Sequence, residues 1–216
     1  MNNYAKGDII KVNYDLDSLN TNVYDGVCDA VVLSNNKGNL YSPTLIVAPV
    51  INERPTDELY ARVIDNEGND RFVLIAYTRC IDKSRVTEKV SSIAFWRKLN
   101  RRLIEMFNTS VPYGVFRRGS VAWVDLCRGG VDAEQSGFRP SLIIGGWKNI
   151  RIVVPATSHL KLGIPTHLVH ANSWSKRDCT FLFEQMRAVA VEDHVERPLR
   201  VRGIAQHGNT RVTPQE

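Results

Sequence analysis

The feature that most constrains the fold of this chain is an internal repeat. After a connector around Pro112 and Gly114 the sequence pattern of the first half begins again, in the same order and with spacing that drifts by only a few residues. The matching segments are 7–14 with 119–126, 31–33 with 142–144, 46–49 with 152–155, 55–56 with 165–166, and 73–79 with 181–187. Such a repeat predicts two tandem copies of one small domain.

Each copy is built from short strands. In the first copy, apolar or alternating runs are separated by Gly, Asn, Asp and Pro, which mark turns. These runs are residues 7–14, 30–33, 44–48, 60–64 and 71–76, with a turn at 34–39. Pro49 should end the third run. Five short strands joined by tight turns favour a small β-barrel.

A helix separates the copies. Apolar residues recur at helical spacing after Ser92. Either Ser91 or Ser92 can cap the start of this helix. The apolar residues are Trp96, Leu99, Leu103 and Met106 or Phe107. We therefore predict a mainly β protein with one long helix between two tandem barrels, which pair within the chain as a pseudo-dimer. The predicted domains are 1–110, 111–205 and a mobile tail at 206–216.

Charge is distributed unevenly between the copies. Residues 1–108 contain as many acidic as basic residues, so the whole net charge of +5 lies in residues 109–216. An anionic partner is thus expected to meet the second half. No apolar run is long enough to cross a membrane, and no signal peptide is recognisable. We expect a cytoplasmic protein with reduced cysteines. The spacing of the Cys and His residues does not suggest a metal site.

The most informative motif is the segment 134–140, which reads Glu-Gln-Ser-Gly-Phe-Arg-Pro. Gly137 allows a tight turn, and Pro140 suits the first residue of a strand. Arg139 therefore lies where a loop meets a strand, and its guanidinium can bind a phosphate or a carboxylate. From these residues alone, a salt bridge within the loop and a phosphate contact both remain open.

Four segments together resemble the MazF/PemK toxins, the endoribonucleases of type II toxin–antitoxin systems. They are residues 119–126, 134–140, 154–158 and 183–187. The resemblance implies SH3-like barrels that pair as dimers, metal-independent cleavage of single-stranded RNA or mRNA through attack by the 2′-OH, no cofactor, and a cognate antitoxin. It implies that Arg139 and Thr157 are catalytic. It also implies RNA-binding or supporting roles for Glu134, Gln135, Ser158, His159, Glu184 and Gln185.

The first copy departs from the family pattern where chemistry is expected. The repeat places Cys28 at the position of Arg139, Ile51 at that of Thr157, and Tyr77 at that of Gln185. We therefore expect a single active site, in the second copy, with the first copy serving as its built-in dimer partner.

Two questions stay open at this point. The general base could be Glu134, Glu184 or His159. The alternative function is non-catalytic: an inactive barrel of the same fold that binds RNA, an antitoxin, or a protein target such as gyrase.

Overall fold

The computed structural model describes residues 4–14, 26–56, 59–108, 116, 118–126, 132–159, 167–170, 178–191 and 195–198. Their strands join one 14-stranded sheet with antiparallel pairing. In the first half the strands are β1 (Asp8–Asn13), β2 (Val27–Val32), β3 (Thr44–Ile51), β4 (Tyr60–Ile64), β5 (Asp70–Leu74), β6 (Arg79–Asp82) and β7 (Val86–Ser92). In the second half they are β8 (Val121–Asp125), β9 (Phe138–Trp147), β10 (Ile150–Thr157), β11 (His167–His170), β12 (Cys179–Leu182), β13 (Arg187–Ala190) and β14 (Val195–Pro198). The helices are α1 (Asn36–Tyr41) and α2 (Arg97–Asn108).

The two halves have the same strand order, arranged about the middle of the sheet. The order is β7-β1-β2-β3-β6 in the first half and, continuing from β6, β13-β10-β9-β8-β14 in the second. The hairpin β4–β5 branches from β3, and the hairpin β11–β12 branches from β10 in the same way. The sequence repeat thus has a counterpart in the connectivity of the described strands.

The prediction of a mainly β protein with few helices is confirmed, but closed barrels are not. The path of described strands runs from β14 to β7 as an open sheet. The halves meet where Arg79 of β6 lies opposite Arg187 of β13. Backbone hydrogen bonds from Cys80 N to the Met186 carbonyl (2.7 Å) and from Ala188 N to the Thr78 carbonyl (2.8 Å) strengthen this junction.

Pro49 does not end the third strand, contrary to the sequence-based expectation. Leu33 N donates to the Ile46 carbonyl, so the backbone N–H and C=O of Ile46 point towards β2. Backbone groups alternate in direction along a strand, so those of Pro49, three residues later, point away from β2. On that other side, pairing with β6 stops at Val47 and pairing with β5 starts at Val50. The nitrogen of Pro49 falls in the gap between two partners, where no N–H is needed.

Two helix details also differ from prediction. Ser91 and Ser92 belong to β7, where they lie opposite Ile9 and Asp8, so they cannot cap α2. The segment predicted as a turn near residue 36 contains α1, whose start is capped by Asn35 through a hydrogen bond from Gly38 N to Asn35 Oδ1 (2.8 Å). A short cap signal competes poorly with strand pairing, because pairing involves more of the backbone.

Helix α2 closes a hydrophobic core that belongs to both halves. Leu99 and Met106 of the helix are fully buried. They share one cluster with Ile9 of β1 and with Ile152 and Ala188 of the second half. Because the same cluster draws on both halves, burial of α2 couples their stability. Among the described residues, no helix has the length and apolar character needed to cross a bilayer.

We predict that Leu99→Ala lowers the free energy of unfolding by about 2–5 kcal/mol, because it leaves a cavity under a helix that is packed on both halves. The matched control is Ile104→Ala on the exposed side of α2, where 59% of the residue is accessible. It should change stability by less than about 0.5 kcal/mol. Urea unfolding followed by circular dichroism measures both, and equal effects would contradict the shared core.

Candidate active site

The loop before β9 brings Arg139 to the start of a paired strand. Arg139 lies opposite Val124 of β8 and is half-buried. Its Nε donates to the backbone carbonyl of Ser136 at 2.7 Å. Gly137, between them, has φ of 75°, a conformation that side chains disfavour. The loop conformation that glycine permits therefore sets the position of the guanidinium.

The β9–β10 hairpin brings Thr157 and Arg139 to the same end of the two strands. In the β9–β10 ladder, Ile143 lies opposite Val153 and Ser141 lies opposite Pro155. Arg139 lies two residues before Ser141, and Thr157 lies two residues after Pro155, where β10 pairs with β12. Two residues that are 18 positions apart in the sequence thus reach the same end of one hairpin.

Three of the predicted residues form the exposed end of β10. Thr157 is half-buried, whereas Ser158 and His159 are exposed. The Thr157 Oγ1 accepts a hydrogen bond from His159 N at 3.3 Å. This backbone contact ties the Thr157 hydroxyl to the turn that follows β10, where His159 is exposed.

Glu134, by contrast, is deeply buried. Its side chain is 0% exposed, as is that of its partner Arg85. The Glu134 Oε1 accepts from Arg85 Nε (2.7 Å) and from Asp82 N (2.6 Å), and Oε2 accepts from Arg85 Nη2 (2.9 Å). This carboxylate supports the loop from within the protein, at the boundary between the halves.

Gln185 and Gln135 also act inside the loop. The amide of buried Gln185 accepts from Gln135 N at 3.1 Å and donates to the Ala133 carbonyl at 3.2 Å. It therefore satisfies two backbone groups of the same loop. Glu184 lies next to it, half-buried in the 3₁₀ turn that joins β12 to β13.

Three residues of this region carried no role in the sequence analysis: Asp82, Arg85 and Arg187. Arg187 is buried, and its guanidinium donates to the Leu126 carbonyl at 3.1 Å and to the Gln135 carbonyl at 2.9 Å. A signal was available for Arg187, since an Arg recurs at the matching position, Arg79, in the first copy. For Asp82 and Arg85 the sequence contains no such indication.

The first copy has the same backbone and different chemistry. Cys28 lies opposite Val12 in β1–β2, as Arg139 lies opposite Val124 in β8–β9. Ile51 lies opposite Phe72, as Thr157 lies opposite Thr180. Burial, helped by the Asp29 carboxylate, raises the pKa of the Cys28 thiol to about 12. The position that holds a guanidinium in one copy holds a neutral thiol in the other.

The chain is similar to a known family and to a characterised relative. Residues 5–107 match the family described as PemK-like, MazF-like toxin of type II toxin–antitoxin systems. A stretch of 94 residues is 30% identical to an endoribonuclease MazF of Staphylococcus saprophyticus subsp. saprophyticus, covering 41% of this chain and 77% of that protein. This chain belongs to the PemK/MazF toxin family.

Solved structures in the same comparison are more distant. An endoribonuclease from Mycobacterial species has a TM-score of 0.41 and 13% identity, with 53% of this chain and 98% of that chain covered. An endoribonuclease in complex with its cognate antitoxin, also from Mycobacterial species, has a TM-score of 0.40 and 12% identity, with 52% and 100% covered. The PemK/MazF match at residues 5–107 lies on the copy that contains Cys28 and Ile51, whereas Arg139 and Thr157 lie beyond it.

We predict that Cys28 of this PemK/MazF chain reacts slowly with iodoacetamide. Because its pKa is raised to about 12, the reactive thiolate should be about a thousandth of the population at pH 9, and the rate should climb about tenfold per pH unit from pH 8 to pH 11. In the urea-unfolded chain the rate should level off above roughly pH 9, since an unperturbed thiol titrates near 8.5. Peptide mass spectrometry follows Cys28 alone, and a plateau near pH 9 in the folded protein would contradict the prediction.

Proposed function

We propose that this chain is a toxin endoribonuclease that cleaves single-stranded RNA, mRNA included, without a metal ion, through attack of a 2′-OH on the adjacent phosphorus. The observation that best supports the proposal is that Arg139 of β9 and Thr157 of β10 lie at the same end of one hairpin, each two residues beyond its last described pair, Ser141 with Pro155. Membership of the PemK/MazF family supports the same activity, because a relative of this chain is named an endoribonuclease.

Arg139 supplies the charge that this reaction needs. The phosphorane formed by 2′-OH attack carries more negative charge than the substrate, and a guanidinium can donate two hydrogen bonds to its oxygens. The hydrogen bond from Arg139 Nε to the Ser136 carbonyl pre-orients the group, so that less reorganisation is required during the reaction. One such donor is worth about 2.7–4 kcal/mol of transition-state stabilisation in comparable sites.

Thr157 and its neighbours handle the nucleophile. The Thr157 hydroxyl can hydrogen-bond the phosphate or orient the 2′-OH. Glu134 is enclosed by Arg85 and Asp82, so we assign proton removal to one of the other two candidates. Exposed His159, whose backbone contacts Thr157, is better placed than half-buried Glu184. Ser158, exposed beside Thr157, is assigned to RNA contact.

The first copy suggests which substitutions to use in testing this proposal. Arg139→Cys and Thr157→Ile introduce the residues that the first copy has at the matching strand positions, so the fold should tolerate them. Each should reduce kcat on a long single-stranded RNA in EDTA by about 10²–10³-fold, and His159→Gln by about 10²–10⁴-fold if it is the base.

Cys28→Ala in the first copy is the matched control and should leave cleavage unchanged. No cleavage by the wild-type protein, or equal cleavage by wild type and Arg139→Cys, would refute the nuclease proposal. Retained binding of RNA by an inactive wild type would instead favour the non-catalytic alternative.

We further propose that the two halves are tandem copies that form an intrachain pseudo-dimer, with domains at 1–110 and 111–205. The matching strand order and the matching registers at Cys28 and Arg139 support this. The partner proteins of the family suggest a cognate antitoxin for this chain; an acidic or apolar antitoxin segment would suit the basic second half.

A pseudo-dimer that is complete within one chain should be monomeric in solution. Light scattering coupled to size exclusion is expected to give the mass of a single chain across a range of concentrations. A stable dimer of twice that mass would contradict the intrachain arrangement, because the partner surface would then come from a second molecule.

A further inference from the structure

The loop that carries Arg139 is anchored on the opposite half of the molecule. Glu134, five residues before Arg139, accepts three hydrogen bonds from the first half: two from the Arg85 guanidinium and one from Asp82 N. Ala133 N donates in turn to Asp82 Oδ2 at 3.3 Å. Both ends of the ion pair are 0% exposed, so water does not compete for these bonds.

Arg85 is itself held in place by the first half. It belongs to the 3₁₀ turn Lys83–Arg85, which is capped by a hydrogen bond from Ser84 N to Asp82 Oδ1 at 2.9 Å. Its Nη1 also lies 3.4 Å from the Asn13 carbonyl at the end of β1. These contacts hold the turn and the Arg85 guanidinium from the side of the first half.

The two copies differ in sequence at the position of the anchoring carboxylate. Counting back three residues from the turn glycine gives Glu134 in the second copy and Val23 in the first. A valine side chain cannot accept a hydrogen bond, so residue 23 cannot supply the carboxylate that Glu134 supplies. The asymmetry coincides with that of the catalytic pair: the anchored loop is the one that contains Arg139.

We propose that Arg85 is a positioning residue for the active site in the other half of the chain. It fixes Glu134, which fixes the loop whose Ser136 carbonyl orients the Arg139 guanidinium. The first copy therefore contributes a residue that supports the site of the second copy. This inference rests on the proposed nuclease function, and a misplacement of about 1 Å at a reacting group can reduce a rate about 10²-fold.

The test removes the anchor without leaving a buried charge unpaired. Arg85→Ala alone leaves an isolated buried carboxylate, which is strongly destabilising. The informative variant is therefore the double Arg85→Met/Glu134→Met. The matched control is Arg71→Met/Asp65→Asn, which removes another ion pair of the first half whose carboxylate is 0% exposed. A third variant, Arg85→Lys, keeps the positive charge and a hydrogen-bond donor to Glu134 but loses the two-pronged contact of the guanidinium.

Two readouts separate positioning from stability, both taken well below each variant's unfolding temperature. The double variant should lose about 10–100-fold in kcat on single-stranded RNA with little change in KM, and Arg85→Lys should recover part of that loss. Hydrogen exchange at the amides of Ala133 and Gln135 should accelerate at least about tenfold in the double variant. The control should match wild type in both measurements.

The outcomes that overturn the inference are distinct from those that overturn the nuclease proposal. A folded double variant with wild-type kcat, or with unchanged exchange at the loop amides, refutes positioning by Arg85. A control variant that loses as much kcat as the double variant also refutes it, because the loss would then follow general stability. If the wild-type protein cleaves no RNA, the nuclease proposal fails, and hydrogen exchange alone tests the anchor. Accelerated exchange at the loop amides of the double variant would then support the anchor, and unchanged exchange would refute it.

Discussion

The structure depends on the short junction where β6 meets β13. Arg79 and Arg187 lie opposite each other there, and two backbone hydrogen bonds cross the boundary. This contact turns two sets of strands into one sheet. It also creates the buried boundary in which α2, the Arg85–Glu134 ion pair and the Gln185 amide find their partners.

The junction also explains how like-charged residues can share one position. Two opposed arginines would repel each other if their charges faced one another without other partners. Arg79 instead lies over the Tyr14 ring, 4.9 Å from its centroid, and Arg187 donates to carbonyls of the second half. Each guanidinium is directed into its own half, so the boundary tolerates both.

The strands and their tandem arrangement could be predicted from the sequence, because the repeat consists of short apolar runs that are typical of strands. The equivalence of Cys28 with Arg139 and of Ile51 with Thr157 agrees with the observed registers. Pro49 was misjudged because the direction of its backbone nitrogen depends on which neighbours flank β3. The pairing of Arg85 with Glu134 spans 49 residues and has no periodic signature, so no local pattern could indicate it.

The β6–β13 junction has a consequence for any attempt to divide the protein. A fragment that retains only the second half would leave β13 without β6, and its unpaired backbone groups would become an open sheet edge. Such an edge favours association with the same edge of another molecule, so the isolated fragment would tend to exchange partners or aggregate. Because the halves are covalently linked, β6 is always close enough to pair with β13. This pairing leaves no open edge at the junction for another molecule to bind.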